Sequence, residues 1–133
     1  MTDFGEAFEG GTSEANLLVL FIPSADREGD ALGKKKQKRW VRKALKLLGE
    51  RFGGATAFPR GWGTWRDDEQ GGRLVWDRPV LIQCFTNEAA IREHLPDVSE
   101  FMRALGVETN QGAVACILDR VMYQINFPLR PGA

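Results

Sequence analysis

Lys34 to Leu48, KKKQKRWVRKALKLL, reads as a helix with two opposed faces. With about 100° of rotation per residue, Trp40, Val41, Ala44, Leu45, Leu47 and Leu48 share one side, and Lys35, Lys38, Arg39, Arg42 and Lys46 line the other. The first side packs; the second faces water or something negative. Eight Lys or Arg lie between Lys34 and Lys46 with no acid among them, so the rest of this formally neutral chain carries 10 basic and 18 acidic groups. The protein is therefore strongly dipolar. Three lysines in the first turn oppose the helix macrodipole, a local cost that points to a partner for the charges.

A helix of this kind needs something to pack on, and 133 residues with 43% apolar content suffice for one core. Leu17–Ile22, LLVLFI, is wholly apolar and stopped by Pro23, which predicts a buried central strand. After the basic helix, Gly53 is placed as its left-handed cap. Ala55–Phe58 and Trp62–Arg66 read as one interrupted strand kinked at Pro59, Gly61 and Gly63, with Asp67–Gly72 as the turn into a return strand, Arg73–Asp77 and Val80–Phe85. Pro79 breaks that return strand, so the outer part with Trp62, Trp65 and Trp76 is expected to protrude as a two-stranded ribbon. Asn87 caps a second helix running to about Leu105, breakable at Leu95–Pro96 and ended by Gly106. Gly106–Gly112 is expected as a polar loop, Ala113–Leu118 as a strand, and Val121–Phe127 as a further strand folding back on it.

The order β-α-β-β-α-β with right-handed crossovers is the ferredoxin-like split βαβ pattern, an α+β fold with an antiparallel sheet in strand order 4-1-3-2. The expected organisation is a flexible acidic tail over residues 1–16, one domain over 17–127, and a short tail over 128–133. Both helices cover one sheet face, yet the strands are apolar on the other face too. That face calls for a cover, through a homodimer or through docking as a subunit of a larger assembly.

This topology brings the loops after the first strand, at the hairpin tip and after the second helix to one end of the sheet. Asp26, Arg27, Asp30, Arg66, Asp67, Asp68, Glu69, Glu108, Thr109, Asn110 and Gln111 are expected to share a polar rim there. Carboxylates on such a rim, Asp26 first and Asp67 or Glu108 second, are of the type that holds Mg²⁺ or Mn²⁺ and activates water against a phosphodiester. No diagnostic spacing accompanies them. The lone His94 has no nucleophile or ligand partner in the sequence pattern, and Cys84 and Cys116 sit inside apolar runs as small buried hydrophobes of a reducing compartment. No apolar run approaches the roughly 18 residues needed to span a bilayer, and the acidic N-terminus is unlike a signal peptide, so the expected address is cytoplasmic, with no membrane partner.

The basic stripe covers about 16 Å along the helix, enough to meet several phosphates, and the ribbon tryptophans are of the type that stacks on bases. FGGATAFPRGWGTW (Phe52–Trp65) and GVETNQG (Gly106–Gly112), in this order around a hydrophobic strand, resemble a family of small uncharacterised bacterial proteins, over Leu17 to Phe127. That resemblance implies no activity. In topology the chain is also similar to small dimeric ferredoxin-like nucleases of CRISPR adaptation and toxin systems, which carry an acidic residue just after the first strand, as Asp26 stands here. Two functions are expected from these readings. The first is an association module that binds nucleic acid or another polyanion through the basic helix, with no cofactor. The alternative is a metal-dependent nuclease or phosphodiesterase using the rim carboxylates.

Overall fold

The computed structural model describes residues 4–128. The two ends of the expected tails, residues 1–3 and 129–133, lie outside the described residues. Between residues 4 and 15 the chain is exposed and forms a single 3₁₀ turn, Gly5–Phe8, with no buried side chain.

The elements follow as β1 (Asn16–Ile22), α1 (Lys34–Phe52), β2 (Thr56–Ala57), β3 (Gly63–Asp67), β4 (Arg73–Asp77), β5 (Val80–Thr86), α2 (Glu88–Glu108), β6 (Ala113–Leu118) and β7 (Val121–Asn126). The main sheet is antiparallel in the order β2-β5-β1-β6-β7, and β3 and β4 pair only with each other. The expected ferredoxin-like arrangement is therefore present, extended by β7 at one edge. β1 is central because its residues are apolar on both faces and both its edges are paired: Leu18 lies opposite Cys84 and Leu118, and Leu20 opposite Ile82 and Cys116.

One face of the sheet holds the core. Leu18, Leu20, Ile22, Ile82, Cys84, Val114 and Cys116 point to it and meet Trp40, Ala44 and Leu48 of α1 and Val98, Met102 and Leu105 of α2. The spacing of four in α1 puts those three residues on one stripe, and Trp40 meets Phe101 of α2 edge to face at 5.7 Å. Lys43 lies over the indole as well, 4.4 Å from the ring centre. On the opposite sheet face Leu17, Phe21, Leu81 and Ile117 are half-buried, while Phe85 and Met122 are exposed, so an apolar surface faces away from both helices.

Three boundaries differ from expectation. The interrupted strand is two separate strands: β2 joins the main sheet beside Gln83 and Ile82, and β3 leaves it for the ribbon. Gly61 N–H donates to the Pro79 carbonyl at 2.7 Å, fixing the point where the chain departs. The ribbon itself is as expected, with its connection closed by Gly71 and Gly72 at φ 75° and 77°, values that disfavour any side chain.

The second difference is that α2 passes straight through Pro96, because the burial of Val98, Met102 and Leu105 on the sheet holds the helix beyond the missing N–H. The third is Gly106, which does not end the helix. It is needed for close approach instead: a Cβ there would stand 2.1 Å from Cζ of Phe127, whose ring lies against the helix backbone. The expected polar loop is consequently shorter, beginning at Thr109.

Candidate functional site

The loop rim and the outward face of α1 are the two regions that the sequence singles out, and they are built differently. At the rim, the β1–α1 loop folds back on itself through an Ala25–Ala31 bridge, and Asp26 Oδ1 accepts the backbone N–H groups of Glu28 and Asp30 at 2.9 and 3.0 Å. Asp26 thus organises its own turn. Arg27 is only 8% exposed. Its N–H donates to the Asn110 carbonyl, its guanidinium donates to the carbonyls of Pro128 and Phe127 at 3.0 and 3.1 Å, and Glu69 Oε2 lies 3.8 Å away.

Gln111, Thr109 and Asn110 serve the same closure. Gln111 is buried and its Nε2 donates to the Ala25 carbonyl at 2.8 Å and to both the carbonyl and the hydroxyl of Thr109 at 3.1 Å. Thr109 is buried as well, its hydroxyl donating to the Leu105 carbonyl at 2.6 Å. Asn110, at φ 51°, donates from its side chain to Glu28. Asp67 is buried beside Arg73 and accepts from the Glu69 N–H at 3.2 Å, while Arg66 pairs with Asp68 on the surface. Asp30 stays exposed, bonded through its backbone to Asp26. Glu108, the last residue of α2, contributes its carbonyl to the Lys36 ammonium at 3.2 Å.

Arg66 and Asp68 thus form a separate surface pair, and Glu108 reaches only Lys36 through its carbonyl. The three loops meet through Arg27 with Asn110 and Glu69 and through Gln111 with Ala25, in a network in which Arg27, Asp67, Thr109 and Gln111 are interior residues. Their hydrogen bonds go to backbone groups that would otherwise be orphaned. Among the described residues, no three His, Cys, Asp or Glu side chains converge as metal ligands would. The sequence reading passed over Ser24 and Asp77: Asp77 Oδ1 accepts from the Ser24 N–H and hydroxyl at 2.8 and 2.6 Å, and Ser24 Oγ accepts from the Arg78 N–H at 2.8 Å. The only sequence signal was Asp77 ahead of Arg78-Pro79, where the ribbon rejoins the sheet and backbone donors lack strand partners.

The face of α1 has no such network. Lys35, Lys38, Arg39, Arg42 and Lys46 are all exposed, and only Lys46 has an acid in reach, Glu50 at 3.8 Å. The other four have no ion pair among the described residues. Gln37, the one neutral residue within KKKQK, turns inward and donates to the carbonyls of Ile22 and Arg78 at 3.3 and 3.0 Å, fixing the start of the helix to β1 and to the base of the ribbon. The absence of charge at that one position was the available signal.

The two thiols are free and buried. Burial pushes Cys84 up to about 11 and raises Cys116 as well, so neither is a nucleophile near neutral pH. His94 stands edge-on to Phe52 at 5.7 Å. Asp119, at φ 57°, closes the β6–β7 turn and accepts from the Leu17 N–H and the Asn16 amide, which hold its carboxyl below the usual carboxylate range. No helix among the described residues is long and apolar enough to cross a membrane.

No protein-family model matches the chain, and no curated protein matches it. Among solved structures it is similar to a phage SAM lyase in complex with S-methyl-5'-thioadenosine, with a TM-score of 0.65 and 14% identity, covering 90% of this chain and 95% of that one. The apo form of a phage SAM lyase gives 0.61 at 13% identity over 88% and 93% of the two chains. A divalent cation tolerance protein from Thermus thermophilus aligns over 89% and 86% at 18% identity, with a TM-score of 0.48. At these identities the likeness to the SAM lyases is one of fold.

Proposed function

We propose that this is a cytoplasmic association module that binds nucleic acid or a comparable polyanion along α1 and pairs with a second copy of itself through the open face of its sheet. The observation that carries the reading is the row Lys35, Lys38, Arg39 and Arg42, exposed on one helix face and without an ion pair among the described residues, while the rim carboxylates are largely engaged in loop structure. Cations spaced along about 10 Å of helix, or about 16 Å when Lys46 is included, release counterions from several phosphates at once, which requires no metal or cofactor. Self-association is supported by the apolar residues of that face, the pair Leu17–Phe85 and the row Val19–Ile117–Met122.

The test is fluorescence anisotropy of labelled single-stranded RNA and duplex DNA over a salt series with Mg²⁺ present, probe lengths being checked afterwards. Binding that weakens steeply with salt, leaves the probes intact and falls at least about tenfold in the triple variant Lys35→Glu, Arg39→Glu, Arg42→Glu is expected. Shortened probes would favour the metal-dependent phosphodiesterase, in which Asp26→Ala abolishes turnover. An unchanged affinity in the triple variant removes the stripe from the reading. Sedimentation of the wild type against Phe85→Glu tests pairing, and a monomeric wild type ends that part.

A second reading draws on the phage SAM lyase, whose fold this chain shares along 90% of its length. It is a small-molecule site for S-adenosylmethionine or a related nucleoside thioether. Incubation with S-adenosylmethionine and chromatography for S-methyl-5'-thioadenosine against a protein-free control tests turnover, and calorimetric titration with S-methyl-5'-thioadenosine tests the site; no product above the control together with no binding heat excludes it.

A further inference from the structure

Beside the cationic row, where α1 begins, an open cleft of about 440 Å³ lies between the helix and the segment that follows β2. Its lining brings Val41, Phe58 and Pro59 together with the cations Lys34, Lys38 and Arg60. Those three cations are exposed and have no ion pair among the described residues. Phe58 keeps 44% of its surface in solvent, although its N–H is tied to the Leu81 carbonyl at 2.9 Å and the nearby Gly61 N–H to the Pro79 carbonyl. The wall is thus anchored by backbone while its aromatic ring stays accessible.

We infer that this cleft takes one nucleotide of a single strand, with the base against Phe58 and Pro59 and its flanking phosphates on Lys34, Lys38 and Arg60. The inference rests on the polyanion reading and narrows it. Apolar lining beside three cations without ion pairs matches a ligand that is flat and aromatic in one part and anionic in the next, and the cleft's size falls within the roughly 300–1,000 Å³ of ordinary ligand clefts. Lys38 belongs both to the cleft lining and to the outward row, so a strand seated here continues along α1 without a break in charge. A duplex cannot use the cleft, because its bases are stacked inward; an unpaired base is free to leave the strand and stack on an aromatic ring.

The experiment compares a labelled single strand of about 12 nucleotides with a duplex of the same length at one salt concentration, using wild type, Phe58→Ala and Phe58→Leu. Thermal melting of each variant is recorded, and Phe58→Leu keeps the apolar fill if the alanine variant does not fold. Both variants are expected to weaken single-strand binding at least about fivefold, the lower end of a lost base–aromatic stack, while duplex binding stays within about twofold. Equal losses on both probes, or no loss on either, overturn the cleft while leaving the cationic row in place if the triple variant still weakens binding at least about tenfold. A wild type that binds neither probe overturns both proposals.

Discussion

The loop rim and the outward face of α1 are both rich in charge, yet one is consumed by the fold and the other is left over. Rim residues lie at the ends of strands and helices, where backbone donors and acceptors need partners, and Asp26, Arg27, Thr109 and Gln111 supply them. Beyond its first turn the backbone of α1 is satisfied within the helix, and the side chains of Lys35, Lys38, Arg39 and Arg42 have no acid to pair with among the described residues, so the fold makes no use of their charge. Polar loop residues are thus weaker pointers to chemistry than polar residues in mid-helix. Substitutions in the two regions should differ in sign as well as size.

Arg27 gives the largest effect. Arg27→Ala leaves the Phe127 and Pro128 carbonyls without their donor and opens a void beside the loop that follows α2, which is expected to cost about 2–4 kcal/mol in urea unfolding while polyanion affinity is unchanged. A stable variant with lost affinity would reverse the assignment of the two regions. Gly106→Ala tests the same end by overpacking. Its methyl collides with the Phe127 ring, for about 1–3 kcal/mol, and the double variant with Phe127→Ala should recover part of the loss because the two residues are in contact.

Asp26 separates the two functional readings at smaller cost. Asp26→Asn keeps a side-chain oxygen for the Glu28 and Asp30 N–H groups, so near-native stability is expected, whereas Asp26→Ala loses that acceptor for about 1 kcal/mol. If Asp26 instead serves a metal, the asparagine variant remains folded and loses all turnover. Retained Mg²⁺-dependent cleavage in Asp26→Asn would remove Asp26 from the alternative.

The residues that sequence made legible are those governed by local rules. The α1 stripe, the Gly53 cap at φ 92°, the Asn87 cap on Ala90 N–H and the central strand Leu17–Ile22 all follow from periodicity or from one capping residue. Topology then placed the rim loops at one end. What stayed hidden depends on contacts between distant residues: Gly106 looks like a helix stop until Phe127, 21 positions later, is packed against it. Arg27 looks solvated until the chain following β7 passes over it. The cleft between Lys34 and Arg60 likewise exists only because β2 and β3 separate at Pro59 and Gly61.

The smallest effect gives the sharpest contrast. Lys35 stands in the first turn of α1, where no acid is present and the helix begins at Gly33 without a side-chain cap, so its charge opposes the macrodipole and repels its cationic neighbours. Lys35→Glu should therefore stabilise the protein, by about 0.3–1 kcal/mol at low salt, with the gain shrinking as salt screens both terms. The same variant should weaken polyanion binding. A surface lysine whose reversal raises stability and lowers affinity is retained against the preference of the fold, the pattern expected of a group that serves a partner. If Lys35→Glu instead lowers the urea midpoint at low salt, the ammonium has a stabilising role within the chain, and the division between a structural rim and a free helix face does not hold at its N-terminal end.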